Sequence, residues 1–195
     1  MNRQASATIS NRSTANKNGL SRRDFLKWTT ASTCVIATPS WAGSMQSAAE
    51  RKLGFLNLHT GESLSAAYWE QGQYIPEAMT AFNRLLRDHR TNEIAPIDNR
   101  LFDLLYLLHA KLGGNQPFHV ISGFRSPESN AKLATPGSGV AQGSLHMKGQ
   151  AVDIRLPQCS LTALREAALA LHAGGVGYYP KSDFVHVDTG RVRSW

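Results

Sequence analysis

The stretch Ser144-Leu145-His146-Met147-Lys148-Gly149-Gln150-Ala151-Val152-Asp153 constrains this chain more than any other. From Gln150 to Leu156 the residues alternate, which places Ala151, Asp153 and Arg155 on one face of a strand and Val152, Ile154 and Leu156 on the other. A carboxylate between apolar neighbours in such a strand is half-buried and needs a cation beside it. His146 precedes it across Gly149, a residue free to fold the chain back so that both side chains reach one point. A second histidine, His186, stands in the late run Phe184-Val185-His186-Val187-Asp188. Two imidazoles and a carboxylate suit zinc, at Zn–N distances of ~2.0–2.1 Å. Three protein ligands leave a position open, and water there is activated for hydrolysis near neutral pH.

The bulk composition fits a globular chain. It has 195 residues, 42% of them hydrophobic and 18% charged, with a net charge of +7. Much of that charge lies near the start, where Arg3, Arg12, Lys17, Arg22, Arg23 and Lys27 face Asp24 alone. Beyond it no basic cluster interleaves with aromatics, so a nucleic-acid partner is excluded. Ser21-Arg22-Arg23-Asp24-Phe25-Leu26-Lys27 matches the twin-arginine export pattern. The apolar run from Trp28 to Ser40 is too short to span a hydrocarbon core of ~30 Å. Ser40-Trp41-Ala42 is a small-x-small cleavage site. Residues 1–42 therefore read as a twin-arginine signal peptide cleaved near Ala42. Residues 43–195 read as one domain without a membrane span, delivered to the periplasm by the twin-arginine translocase. Only Cys159 survives cleavage, so no internal disulfide framework is expected, and the residue reads as a small buried hydrophobe.

The remaining elements follow in order. Arg51 to Tyr74 is a β-hairpin, a half-buried ribbon covering an edge or floor of the domain. Ile75 to Arg87 is a helix opened by Pro76, with Met79, Phe82 and Leu86 on one stripe. Asp98 caps a second helix that ends at Gly113-Gly114. Pro117 to Ser122 is a strand running into Gly123-Phe124-Arg125, where Ser126 caps a short helix and leaves Arg125 at the turn. Residues 135–143 form a Gly-rich loop unlike a phosphate-binding one. Ser160 caps a further helix, and Val176–Tyr179 with Phe184–Asp188 form a closing hairpin. Helices and strands do not alternate regularly, so the expected fold class is α+β with a mainly antiparallel sheet and helices packed on it. His59, His89, His109, His119 and His172 read as satisfied polar residues outside the site.

Several linked motifs carry a resemblance. Ser144-x-His146-x-x-Gly149-x-Ala151-x-Asp153, followed by His186, resembles the lysostaphin / D-Ala-D-Ala carboxypeptidase / hedgehog group of zinc metallopeptidases. With Ser122-Gly123-Phe124-Arg125-Ser126 and Gly174-Gly175-Val176-Gly177-Tyr178-Tyr179-Pro180 added, the chain is similar to the YcbK-like (MepK-like) murein endopeptidases over roughly residues 50–195. The resemblance implies the fold of that group, Zn2+ on His146, Asp153 and His186, and hydrolysis of peptide cross-links in peptidoglycan. It also implies that Arg125 stabilises the developing oxyanion. Asp183 occupies the position of the carboxypeptidase glutamate that serves as general base, one methylene shorter. Asp188 shares the face of His186 and reads as a carboxylate orienting an imidazole, with general base as its other role. Ser144 belongs to the same supporting shell. The competing reading is a zinc-containing but inactive peptidoglycan-binding module.

Overall fold

The computed structural model describes residues 49–195 apart from 115, 138 and 139; residues 1–42, where a cleaved twin-arginine signal peptide is expected, lie outside the described residues. Among those residues the strands are β1 (Glu50–Asn57), β2 (Ser63–Glu70), β3 (Gln73–Tyr74), β4 (Phe118–Ser122), β5 (Ala151–Arg155), β6 (Gly175–Tyr179), β7 (Phe184–Asp188) and β8 (Arg193–Ser194). They form one sheet in the order β3-β2-β1-β4-β5-β7-β6-β8. The pairs β1–β4 and β6–β8 are parallel, the others antiparallel. Among the described residues four α-helices accompany the sheet: α1 (Pro76–Leu85), α2 (Asn99–Lys111), α3 (Pro127–Leu133) and α4 (Leu161–Leu171). The class is α+β with a mixed, mostly antiparallel sheet.

Alternation along the strands sorts the sheet into two faces. Leu53 and Phe55 of β1, Phe118 and Val120 of β4, Val152 and Ile154 of β5, and Val185 and Val187 of β7 join the core with Phe82, Leu101, Leu105, Leu108 and Leu164 from the helices. Phe55 sits at its centre, edge-on to Phe82 with ring centroids 5.1 Å apart. Truncating such a ring costs about 3–5 kcal/mol. On β5 and β7 the other face carries Asp153, His186 and Asp188, so the helical layer supports the strands and leaves those side chains clear.

Gly149 earns its place by geometry. Its φ is +63°, and a Cβ there would stand 2.2 Å from the carbonyl oxygen of Pro96. Its own carbonyl accepts from the Asp98 N–H at 2.9 Å, which pins the start of β5 to the N-terminus of α2. Asp98 caps that helix as expected, accepting from Arg100 N at 3.0 Å.

Three expectations need correction. The first hairpin does not merely cover an edge, because β1 lies inside the sheet, antiparallel to β2 and parallel to β4. Its alternate residues are buried by the helices, and the α1–α2 segment supplies the crossover that a parallel pair requires. Nor does the β6–β7 hairpin close the sheet, since β8 adds to β6. Cys159 is half-buried rather than buried. No helix among the described residues is long and apolar enough to cross a membrane.

Candidate metal centre

His146 is not on a strand but on a single 3-10 turn, Leu145–Lys148, which Ser144 caps by accepting from His146 N. Its Nδ1 lies 2.7 Å from the carbonyl oxygen of Gly123. A carbonyl only accepts, so Nδ1 carries the proton and Nε2 presents a lone pair. The backbone N–H of Arg125 returns a bond to His146 O at 3.2 Å, locking the turn against the end of β4. Asp153 and His186 face one another as register partners on β5 and β7. His186 Nε2 lies 3.1 Å from Asp188 Oδ2, so that nitrogen is the donor and Nδ1 is the free one.

Three acceptor atoms therefore converge. His186 Nδ1 is 2.8 Å from Asp153 Oδ1, His146 Nε2 is 3.3 Å from the same oxygen, and the two ring nitrogens are 3.2 Å apart. With both outer N–H groups engaged elsewhere, these lone pairs repel one another unless a positive charge sits among them. A tetrahedron with metal–ligand bonds of ~2.0–2.1 Å has edges of about 3.3 Å, so the spacing and the N,N,O donor set both fit zinc. All three residues are buried. The ionisation pattern makes the same demand: burial raises the Asp153 carboxyl, but His146 and His186 outweigh it and hold the group well below the usual carboxylate range. Burial depresses His186, yet Asp153 and Asp188 on either side outweigh that and raise it.

Asp188 is wholly enclosed, at 0% exposure. Its Oδ1 accepts from Gly175 N at 3.0 Å, Gly190 N at 2.8 Å and Arg193 Nη1 at 3.1 Å. Its Oδ2 takes Arg193 Nη2 at 2.7 Å in addition to His186. Burial raises its pKa, and these donors together lower it well below the usual value. With every lone pair occupied it orients His186 and has no capacity left to take a proton from water.

Arg125 lies at the rim of the His146–Asp153–His186 cluster, 8% exposed. Its Nη2 is 3.8 Å from Asp153 Oδ2, and its Nη1 donates to Asn130 Oδ1 at 3.3 Å. Its Nε is buried without a hydrogen-bond partner. Asn130 also donates to the carbonyls of Ala141 and Gln142, at 3.2 and 3.1 Å, which fixes the Gly-rich loop as one wall of the site. The resulting cleft, of about 510 Å³, is lined by Arg125, Ser144, His146, Asp153, His186, Tyr179, Arg193 and Trp195 among others. Among the described residues Asp153 is the only carboxylate in that lining.

Asp183 is the residue that the structure does not bring in. It holds a left-handed turn at φ 55°, its carboxylate pairs with Arg155 at 2.5 Å, and its side chain is 62% exposed. It sits beside the cleft-lining residues Ser182 and Phe184 without contributing to the lining.

The geometry has a counterpart in known sequences. Residues 45–195 match the family described as "Peptidoglycan L,D-endopeptidase MepK". The chain belongs to this family. It is 45% identical over 161 residues to the peptidoglycan L,D-endopeptidase MepK of Escherichia coli K12, covering 83% of this chain and 88% of that protein. The Shigella flexneri protein of the same name matches to the same extent, 45% over 161 residues. A probable peptidoglycan L,D-endopeptidase MepK of Haemophilus influenzae is 41% identical over 146 residues, 74% of this chain and 78% of that protein.

Several parts of the site were not read from the sequence: Asn130, Arg193 and Trp195. The signal for the last two was the spacing of glycines in β6. A Cβ on Gly175 would stand 2.3 Å from Arg193 Nη1, and one on Gly177 would stand 2.7 Å from the Trp195 ring. The two glycines let the side chains of Arg193, in β8, and of Trp195, just after it, cross β6, the first to Asp188 and the second to His186.

Proposed function

We propose that this protein is a periplasmic zinc metallopeptidase that hydrolyses peptide cross-links of peptidoglycan, at a bond joining an L- to a D-centre. Zn2+ is held by His146 Nε2, Asp153 Oδ1 and His186 Nδ1. The observation that carries the reading is the convergence of those three lone pairs with both outer imidazole N–H groups already committed. Bound there, zinc supplies a Lewis acid that polarises a carbonyl and activates water.

The chain's own residues supply the rest. Gly123 O and Asp188 hold the imidazoles in the tautomers that face inward. Ser144 caps the turn that presents His146. Arg125, almost buried and with an unpartnered Nε, is placed to receive negative charge developing on the scissile carbonyl oxygen. A guanidinium out of bulk water is a stronger electrostatic partner than an exposed one. The bond type is taken from the names of the relatives, and the fold is that of the D-Ala-D-Ala carboxypeptidase / hedgehog group. The twin-arginine leader supports export by the translocase in folded form, with the metal loaded before release.

A zinc-containing, inactive peptidoglycan-binding module is the reading to set against this one. Purified sacculi and cross-linked muropeptide dimers, digested with wild type and with His146→Ala, separate the two. The expected result is about one zinc per wild-type chain, new uncross-linked muropeptides, and neither from the variant. Zinc without new muropeptides would establish the binding module instead. Cleavage by a metal-free His146→Ala protein would overturn the ligand assignment.

A further inference from the structure

Tyr179 lies on the site face of β6, in register with Phe184 of β7. Its ring stacks on Phe184 with centroids 4.5 Å apart, and it lines the cleft. Its hydroxyl oxygen is 2.8 Å from Trp195 Nε1. An indole N–H can only donate, so the tyrosine oxygen is the acceptor in this bond. Its own O–H then has no acceptor among the described residues. A hydroxyl that already accepts one bond is polarised into a better donor for the next.

Trp195 is itself held in place. Its ring lies over Gly177, with centroids 5.3 Å from the His186 ring, and the Arg193 guanidinium caps it at 4.8 Å. It is nevertheless 49% exposed, with part of that surface in the cleft. Strand order puts the metal ligands of β5 and β7 between Arg125, at the end of β4, and the Tyr179–Trp195 pair on the β6 side.

We propose that Tyr179 is a second catalytic hydrogen-bond donor, giving its O–H to the carbonyl oxygen of the scissile peptide bond, and that Trp195 is the positioning residue that fixes it in that polarity. As water adds to the carbonyl carbon, the C=O π pair moves onto oxygen. The Tyr179 O–H and Arg125 meet that charge from two sides of the cleft. When the C–N bond breaks the pair returns to re-form the carbonyl, and the proton given up by the attacking water leaves on the amine nitrogen, so the tyrosine shares its own proton throughout and transfers nothing. Such a donor is worth most where charge develops, and therefore acts on kcat rather than on KM. The proposal rests on the peptidase reading above.

The test uses metal-loaded wild type, Tyr179→Phe, Trp195→Phe and the double variant on a defined cross-linked muropeptide dimer. Tyr179→Phe is expected to lower kcat about 100-fold with KM, zinc content and Tm near wild type. Trp195→Phe keeps an aromatic ring but loses the N–H, and is expected to lower kcat roughly threefold to tenfold. The double variant is expected to be no slower than Tyr179→Phe, because the indole acts through the hydroxyl. Independently of turnover, Tyr179→Phe should weaken binding of a phosphinate pseudopeptide, whose tetrahedral centre carries the same charge.

Loss of zinc or of Tm in Tyr179→Phe would make its role structural and overturn the proposal. So would kcat within about threefold of wild type, or a Trp195→Phe loss that adds in full to that of Tyr179→Phe. A wild type that cleaves nothing overturns the peptidase reading and this proposal with it. An active wild type beside an equally active Tyr179→Phe overturns this proposal alone.

Discussion

Asp88 Oδ2 accepts both the backbone N–H of Ser126, at 2.8 Å, and its hydroxyl, at 2.7 Å. Ser126 in turn caps α3, accepting from Ser129 N at 3.2 Å. Asp88 comes from the segment after α1, far away in sequence, and is 1% exposed. Its other oxygen takes the Arg90 N–H at 2.9 Å. One buried carboxylate thus fixes the turn on which Arg125 stands.

That arrangement sets an acid limit. Burial pushes the Asp88 carboxyl up, but bonds from Ser129, Arg90 and Ser126 outweigh it and hold the group well below the usual carboxylate range. A depressed folded-state pKa means stability that is fully present above the unfolded value of ~3.9 and is lost as pH falls toward the folded one. Asp88→Asn is expected to cost about 2–3 kcal/mol at neutral pH. Thermal unfolding of both proteins at a series of pH values checks the sign. The gap in Tm should narrow between about pH 5 and pH 3; a gap that stays constant would mean that the Asp88 charge is not the source.

Asp183 gives a second prediction. A general base there would make Asp183→Asn lose ~10²–10⁴-fold in kcat. Its ion pair with Arg155, its exposure and its place outside the cleft lining argue for a loss below about tenfold, of the size expected for an exposed pair. Steady-state rates of Asp183→Asn and Arg155→Ala on the same muropeptide decide. A loss of the larger size in Asp183→Asn, with Arg155→Ala equal to wild type or faster, would restore Asp183 as the base.

What could be read in the sequence, and what could not, divides along physical lines. Asp98, Ser126 and Ser160 announce helix starts because a cap acts on backbone two or three residues away. The alternation around Asp153 and His186 assigns each residue to a face for the same local reason. Pairing β1 parallel to β4 depends on a crossover spanning two helices, and no local pattern encodes it. The β8 strand is two residues long and carries no alternation. Asp88 meets Ser126 only in three dimensions, so an acidic residue in a polar linker gave no sign of its role. The glycines at 175 and 177 were visible, but what fills the space over them comes from the opposite end of the hairpin.

The oxygens of Asp188 are fully used, and Asp188→Asn upsets that balance. An amide turned with its oxygen to His186 puts its NH2 against donors from Gly175, Gly190 and Arg193, and the reverse orientation faces the His186 N–H. In the first orientation the imidazole keeps only a neutral acceptor set against a clash of donors, and in the second it loses the acceptor that fixes its tautomer. Zinc affinity is expected to fall about 10–100-fold, measured by competition with a chromophoric chelator. Affinity equal to wild type would show that the His186 tautomer is set by something else.

Gly177→Ala separates the cleft wall from the metal centre. The new methyl would stand 2.7–2.9 Å from atoms of the Trp195 indole, so one of the two must move. The Trp195 side chain is half exposed and can swing outward, whereas β6 is held on both sides by β7 and β8. The strain therefore falls on the tryptophan, at a cost of no more than about 1–3 kcal/mol in stability. Moving the indole breaks its bond to Tyr179 and uncovers one edge of His186, while the bonds of Asp188 to Gly175 and Gly190 stay intact. The expected outcome is wild-type zinc content, a small fall in Tm and a kcat reduced at least as much as in Trp195→Phe. Zinc titration, thermal unfolding and muropeptide turnover on one preparation measure all three. Loss of zinc in parallel with activity would mean that the Trp195 ring supports the ligand His186 itself, and that wall and metal centre are a single unit.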